Sequence, residues 1–318
     1  MTLARSMRVE LSVVLGQIAI SMPDLMAVSA DGQMIFNEFI RQAANRHVDV
    51  GIAEGALLGV AAGIARCNRP VVVSSIASFL LRRAYEQAVI DIGFDALPVK
   101  LIGIGGGLAY GPLGASHHIP EDVALARLVP GMSIFVPADA PGAAAALREA
   151  LRMEGPAYIR IGSGEDAVLP RLPGSAYRLP QVLQNGSDIV IFSVGACVHQ
   201  ALAASEKISR EGVSARIVEV SCMRPWPGRE IGELLLEGCP VITVEEHVHD
   251  GGLGALMMEV LFDRPRCGFA RLAIDGRPAP AAVREELFAY YGIDCDSIVG
   301  AAFRLLNING LTSRETTL

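Results

Sequence analysis

The sequence predicts an α/β protein with two doubly wound domains, each built on a mainly parallel sheet. Short runs rich in Val and Ile alternate with longer segments of helical period, which is typical of strands joined by helical crossovers. The run at 71–73 consists of valines alone, and such a strand suits a sheet covered on both faces. With 318 residues, the chain also exceeds the size at which one core usually stops growing.

Each predicted element follows from this alternation. In the first half, the apolar runs that predict strands are 25–29, 48–53, 71–76, 99–104, 133–137 and 157–161. In the second half, the corresponding runs are 188–194, 215–220, 241–245 and 269–274. The segments between these runs have helical period, most clearly at 36–45, 197–210, 230–236, 283–291 and 297–306.

A segment rich in Pro, Gly and Ser separates the two halves. It has no sustained period, which is typical of a linker that crosses the surface. We therefore predict a first domain over 1–165, a linker over 166–187 and a second domain over 188–318.

Composition excludes several classes of function. A net charge of −7 without clustered Lys or Arg argues against a nucleic-acid partner. Apolar stretches such as 55–65 are too short for a membrane span, which needs about 20 residues. Six cysteines without a C-x-x-C pair favour neither a disulfide framework nor a zinc site, and the first residues lack an apolar signal core, so we expect a cytoplasmic protein. Because 51% of the residues are hydrophobic, we expect apolar surface to be buried between subunits.

Three segments carry the chemistry that the sequence predicts. In the first, 48–54, an apolar run delivers the carboxylate of Glu54 to the start of a helix made of small residues, where it is poorly solvated and needs a partner. The second, 78–87, begins Ser-Phe-Leu-Leu and ends Arg-Ala-Tyr-Glu-Gln. The third, 110–122, contains the pair His117 and His118. In this order and spacing, the three segments resemble the transketolase family.

The resemblance implies a pyrimidine-binding domain followed by a transketolase C-terminal domain, with thiamine diphosphate as cofactor. It implies that Glu54 binds a pyrimidine ring nitrogen and thereby activates the cofactor, and that Phe79 stacks on the pyrimidine. It also implies that Asp31 lies near the thiazolium ring. The residues alone allow plainer interpretations: a first-turn acid for Glu54, a core aromatic for Phe79 and an Asp-Gly turn for Asp31.

The resemblance places three side chains near the substrate. His117 matches a histidine that binds substrate and moves protons, His118 stands where the family often has Gln, and Arg8 matches a phosphate-binding arginine. Adjacent histidines rarely point the same way, so one of the pair is expected to be structural, and a lone Arg on an N-terminal helix is also typical of a solvated residue. We expect no metal ligands in the pair, because it lacks further spaced ligands.

Several positions depart from the family pattern. Ser163, Gly105 and Leu113 stand where the resemblance would place substrate-phosphate and hydroxyl ligands. These departures favour a less phosphorylated or more apolar substrate. In the second half, residues 245–247 and 250–254 resemble a strand-to-helix junction that contacts a neighbouring subunit, and a tight glycine loop is the other interpretation.

The sequence also lacks the family's Gly-Asp-Gly motif for the metal that binds the diphosphate. We therefore expect an N-terminal partner subunit that holds the diphosphate through Mg²⁺ or Ca²⁺, in an assembly with two copies of each subunit. The predicted function is ketol transfer from a ketose to an aldehyde by the C-terminal subunit of a split transketolase in carbohydrate metabolism. The alternatives are the beta subunit of a 2-oxo acid dehydrogenase's decarboxylating component and a non-catalytic scaffold.

Overall fold

The computed structural model describes residues 4–171, 176–262 and 268–307. The described part leaves out residues 172–175 of the predicted linker. It also leaves out the end of the predicted second domain, residues 308–318. Both described halves are α/β, and their sheets are dominated by parallel pairs, which confirms the predicted fold class.

The larger described sheet has seven strands, in the order β12-β6-β7-β5-β4-β2-β3. Its strands are β2 (Met26–Ser29), β3 (His47–Asp49), β4 (Val71–Ile76), β5 (Val99–Ile104), β6 (Ser133–Phe135), β7 (Ala157–Ile161) and β12 (Cys222–Arg224). All neighbours pair in parallel except β12, which pairs antiparallel with β6.

Helices cover this sheet on both faces because apolar residues point both ways from its central strands. The helices of the first half are α1 (Met7–Ser21), α2 (Asn37–Ala43), α3 (Glu54–Arg66), α4 (Ala77–Arg82), α5 (Tyr85–Gln87), α6 (Asp122–Leu128) and α7 (Ala140–Arg152). Helices α1, α2 and α7 bury their apolar residues in one core, and α3, α4 and α6 bury theirs in another. A π-helical turn, Ala88–Gly93, continues α5.

The second described sheet has five strands, in the order β14-β13-β10-β11-β9. Its strands are β9 (Gln181–Gln184), β10 (Ile189–Ser193), β11 (Ala215–Glu219), β13 (Val241–Val248) and β14 (Phe269–Ile274). Its helices are α8 (Cys197–Arg210), α9 (Gly228–Leu234), α10 (Leu253–Leu261), α11 (Arg284–Tyr291) and α12 (Cys295–Leu305). Helices α8, α11 and α12 share one core, whereas α9 and α10 pack into the core that also contains α3 and α4.

Periodicity did not predict several short strands of the described chain. Strand β12 comes from the second half but extends the first sheet, and so joins the halves. Strand β1 (Ala4–Ser6) pairs antiparallel with β8 (Glu165–Ala167), which lies at the boundary between the first domain and the predicted linker. Both β8 and β9 overlap the predicted linker. The strand predicted at 48–53 ends at Asp49, because a loop containing Gly51 at φ +72° leads into α3. Within the described ranges, no helix is long and apolar enough to cross a membrane.

Candidate active site

Most of the candidate residues lie on four segments that follow strands at one edge of the larger sheet. Strands β2, β3, β4 and β5 are parallel, so their carboxyl ends lie at the same edge, where open α/β sheets usually bind ligands. Asp31 follows β2, Glu54 follows β3, Phe79 follows β4 and His117 follows β5. The parallel topology thus gathers residues that are far apart in the chain.

Glu54 is the first residue of α3 and is only 5% exposed. Its Oε2 lies 3.4 Å from the Nη1 atom of Arg83, which is the one cation paired with it in the described part of the chain. A buried carboxylate needs a charged or hydrogen-bonding partner, and a half-exposed arginine at this distance supplies only a loose one.

An aromatic cluster lies beside this carboxylate. The ring of Phe79 is half-buried on α4, and the Cζ atom of Arg83 lies 3.9 Å from its centroid. The ring of His117 contacts Phe79 edge-on with centroids 5.1 Å apart, and Tyr110 contacts His117 at 5.9 Å. Glu54, Arg83, Phe79, His117 and Tyr110 therefore form one continuous chain of contacts.

The two adjacent histidines have different surroundings. His117 is half-buried, and its Nδ1 lies 2.9 Å from the hydroxyl of Ser116. If that hydroxyl donates to Nδ1, then Nε2 carries the proton and can donate to a substrate oxygen. His118 is 5% exposed, and its Nε2 lies 3.0 Å from the carbonyl oxygen of Gly111. His117 therefore lies in the aromatic cluster, whereas the His118 ring stabilises the loop through its contact with Gly111.

Asp31 is exposed at φ +52°, and its backbone N–H donates to Asp49 Oδ1 at 3.2 Å. Asp49 also accepts from Ser29, Gln33 and the backbone of Gly51, so it fastens the loops after β2 and β3 together. Burial alone would raise the pKa of Asp49, but these hydrogen bonds outweigh it and lower that pKa to about 2. Sequence reasoning assigned no role to Asp49, although an Asp two residues before a Gly is a turn signal.

Arg8 is the second residue of α1. Its Nη2 donates to the carbonyl oxygen of Ser163 at 2.6 Å, and the Ser163 hydroxyl donates to the carbonyl oxygen of Ala109 at 2.6 Å. The buried Nε of Arg8 has no hydrogen-bond partner in the described part of the chain. Because Ala109 precedes Tyr110, this arginine is connected to the aromatic cluster through the loop after β5.

Two glycines of that loop are required by close packing. Gly105 has φ +72°, and a Cβ there would overlap the ring of Tyr110. A Cβ on Gly107 would overlap the guanidinium of Arg160. Glycine therefore lets the loop lie directly on both side chains.

Beneath the loop, a buried ionic cluster joins the two halves. Arg160 lies 3.4 Å from Asp122 and 3.2 Å from Glu246, and Tyr158 donates to Asp122 at 2.8 Å. Glu246 also accepts the backbone N–H of Leu108 at 2.7 Å. Burial alone would lower the pKa of Arg160, but the two carboxylates raise it overall. The cluster fixes the glycine-rich loop against the second sheet.

The neighbours of Glu246 are buried within the chain too. Glu245 accepts the backbone N–H groups of Leu253 and Gly254 and so caps α10. Burial raises the pKa of Glu245 to about 7, and burial lowers the pKa of His247 to about 4. The contacts described for residues 245–247 lie within the chain, and the contact with a neighbouring subunit stays a prediction.

The edge of the sheet has the chemistry needed for a flat nitrogen heterocycle. Glu54 offers a shielded carboxylate to a ring nitrogen, and Phe79 offers an aromatic face beside it. These two residues fit an aminopyrimidine. Across the described ranges, no group of three or more His, Cys, Asp or Glu is placed to hold a metal ion.

Sequence reasoning found four of the residues at this edge, Glu54, Phe79, His117 and Asp31, and missed Arg83 and Asp49. The signal for Arg83 was its spacing, since a residue four positions after Phe79 lies on the same side of a helix.

Comparisons with known proteins cover almost the whole chain. Residues 1–165 match the family model described as transketolase, pyrimidine binding domain, and residues 180–298 match transketolase, C-terminal domain. One subunit of the apulose-4-phosphate transketolase of Phocaeicola vulgatus is 32% identical over 89% of this chain and 92% of its own length. The subunit of the same name from Actinobacillus succinogenes is 33% identical, with the same shares covered.

A solved structure extends this likeness. It is described as a split gene transketolase in an inactive beta4 tetramer, and it superposes with a TM-score of 0.84 at 29% identity, over 96% of this chain and 99% of that one. The chain thus corresponds in extent to a subunit of a divided enzyme.

Proposed function

This chain belongs to the transketolase family, and on that premise we propose that it is the C-terminal subunit of a thiamine diphosphate-dependent transketolase. The complete enzyme would transfer a two-carbon ketol unit from a ketose to an aldehyde acceptor. The observation that carries the proposal is the buried carboxylate of Glu54 beside the half-buried ring of Phe79, at the carboxyl edge of a parallel sheet.

Thiamine diphosphate, when bound, supplies the carbon nucleophile that ketol transfer requires. Glu54 would accept a hydrogen bond from a ring nitrogen of the aminopyrimidine when that nitrogen carries a proton, and the shielding of Glu54 from water would strengthen that bond. Phe79 would hold the ring flat without using its polar edge. Asp31 would lie on the open side of the same edge, in a position fixed by Asp49.

His117 would bind the substrate. Its ring stands between Phe79 and Tyr110, and Ser116 orients it through Nδ1. Its Nε2 would donate a hydrogen bond to a substrate oxygen that gains charge and would exchange a proton with it. His118 would support this step from the loop by its contact with Gly111.

A partner subunit would hold the diphosphate through Mg²⁺ or Ca²⁺ in an assembly with two copies of each chain. Two facts support this arrangement: both relatives are named as subunits, and the beta4 tetramer is described as inactive.

The outer face of α3 also supports a contact with a partner subunit. Ala56, Gly59 and Gly63 are exposed on this face, and nothing lies within 4 Å of a Cβ added at either glycine. Small residues let a neighbouring helix approach closely. Ile52, just before Glu54, is 75% exposed and would be covered by the same contact.

We propose that the donor ketose carries an anionic group at the end away from the reacting carbons. Arg8 would provide a positive charge for that group, because its buried Nε has no hydrogen-bond partner in the described residues, and both relatives are named for apulose-4-phosphate. This proposal departs from the less phosphorylated substrate that Ser163 and Gly105 favoured. Comparing kcat/KM for a ketose and its phosphate tests it.

The main experiment uses this chain copurified with a partner subunit that contains Gly-Asp-Gly. We expect turnover of hydroxypyruvate or a ketose with an aldehyde acceptor, dependent on thiamine diphosphate. A preference for pyruvate or branched 2-oxo acids would instead assign the chain to a decarboxylating 2-oxo acid dehydrogenase component. Full activity of the Glu54→Ala complex would indicate a scaffold.

A further inference from the structure

One guanidinium contacts both groups that define the proposed pyrimidine site. The Cζ atom of Arg83 lies 3.9 Å from the centroid of Phe79, and its Nη1 lies 3.4 Å from Glu54 Oε2. Arg83 immediately follows α4 and stands four residues after Phe79, which places the two side chains on the same side of the helix.

These are the two contacts that the proposed function gives to the aminopyrimidine. A guanidinium is planar, donates hydrogen bonds from its edge and stacks on aromatic faces. It therefore satisfies a carboxylate and an aromatic ring in much the same way as a flat nitrogen heterocycle. A group that contacts both Glu54 and Phe79 therefore lies at the position that the proposed function gives to the pyrimidine ring.

We propose that Arg83 is a placeholder for the cofactor's aminopyrimidine. In the cofactor-free subunit, its guanidinium occupies the pyrimidine position, neutralises Glu54 and covers the face of Phe79. When the cofactor binds, the Arg83 side chain swings into solvent and the pyrimidine takes over both contacts. This inference rests on the proposed function.

The burial of the two partners explains why a placeholder is needed and why it can leave. The Glu54 side chain is 6% exposed, and a buried carboxylate without a partner is costly. The Arg83 side chain is 52% exposed, so its charge can return to water without crossing the core. Its neighbour Arg82 pairs instead with Glu121 and makes no described contact with Glu54.

The opposite arrangement would have Arg83 remain in place and support Phe79 from the face that the cofactor does not use. The two arrangements predict opposite changes in affinity. Removing a placeholder strengthens cofactor binding, whereas removing a support weakens it.

The test uses the full chain in complex with its partner subunit, titrated with thiamine diphosphate and Mg²⁺ by isothermal calorimetry. Arg83→Met keeps the apolar stem and removes the guanidinium. We expect its Kd to fall by about 3- to 10-fold, because a site blocked for two-thirds to nine-tenths of the time loses that factor in apparent affinity. Arg82→Met is the matched control and should bind like the wild type.

A second measurement uses Arg83→Ala, which leaves a gap where the guanidinium lay. Added ethylguanidinium should compete with thiamine diphosphate in this variant and raise its Kd toward the wild-type value. Ethylammonium carries the same charge without the flat surface and should not. Equal effects of the two ions would overturn the placeholder.

The outcomes separate this inference from the proposed function. An unchanged or higher Kd for Arg83→Met, with a melting temperature like that of the wild type, overturns the placeholder alone. If Arg83→Met fails to fold, Arg83→Lys takes its place, because lysine keeps the charge but lacks the stacking plane. A Kd below the wild-type value then supports the inference, and any other value overturns it. Absence of cofactor binding in both the wild type and Arg82→Met overturns the proposed function, and the placeholder with it.

Discussion

Two buried charge clusters in this chain differ in how fully its own residues satisfy them. Between the halves, the side chains of Arg160, Asp122 and Glu246 are at most 7% exposed, and all pair with one another or with the backbone. At the edge of the larger sheet, the side chain of Glu54 is also only 6% exposed, but its described partner is a half-exposed arginine at 3.4 Å. Both carboxylate sites are buried, so burial does not separate them. If the proposed role of Glu54 holds, a loosely held partner is the feature that distinguishes a functional carboxylate.

The largest expected effect comes from breaking the satisfied cluster. Arg160→Met leaves the charges of Asp122 and Glu246 buried without their cation, so we expect the free energy of unfolding to fall by about 3–5 kcal/mol. Urea unfolding of the purified chain measures this change. The control is Arg66→Met, because the exposed pair of Arg66 with Asp95 contributes less than about 1 kcal/mol. A loss for Arg160→Met no larger than the control's would contradict the comparison.

Substitution of Glu54 should lower turnover strongly and stability only slightly. Glu54→Gln keeps the shape of the side chain and removes its charge, so we expect kcat of the complex to fall by at least about 100-fold. The free energy of unfolding should change by less than about 1 kcal/mol, because only a half-exposed ion pair is lost. Steady-state kinetics and urea unfolding are measured on the same preparations. Retained turnover with a large loss of stability would make Glu54 a structural residue like Arg160.

The two histidines allow the same contrast, between a site residue and a structural residue, to be tested within a single loop. We expect His117→Ala to lower kcat/KM by about 10- to 100-fold with little loss of stability, because its ring stands among the site aromatics. His118→Ala should cost about 1 kcal/mol of stability through the lost bond to Gly111 and affect turnover less. Kinetics and thermal melting of both variants check this, and exchanged phenotypes would show that the loop presents His118 instead.

The last expected effect is a pH dependence of stability beside the satisfied cluster. Burial lowers the pKa of His247 to about 4, so the stability it contributes is complete above its ordinary value of 6.5 and is lost as the pH falls toward 4. Burial raises the pKa of Glu245 to about 7, so its contribution is complete below about 4.5 and is lost as the pH rises through 7. Between these ordinary values, the two contributions change in opposite directions.

Glu245→Gln removes one of the two opposing contributions. We expect its free energy of unfolding to rise between pH 4.5 and 6.5 by about 1–2 kcal/mol more than that of the wild type. Urea unfolding at several pH values across this window measures the slope. A slope equal to that of the wild type would show that Glu245 does not titrate there.

Much of the fold could be predicted from the sequence because periodicity is a local property. The runs at 71–76 and 99–104 form strands β4 and β5 as predicted, and α8 spans the helix predicted at 197–210. Strand β12 could not be predicted this way, because three residues near a proline show no strand period and its pairing partner, β6, is some 90 residues earlier in the chain.

The same division holds for the site. The order and spacing of three segments predicted Glu54, Phe79 and His117 as candidate residues, because a motif places given side chains at a given spacing. Local pattern was enough for the alternation of the longer strands and helices and for the residue types available at one sheet edge. The folded chain was needed to show that Arg83 covers Phe79 and pairs with Glu54, that the His118 ring is buried, and that Arg160 joins the halves. The physical reason is that side-chain pairing depends on distances across the fold, which local patterns do not contain.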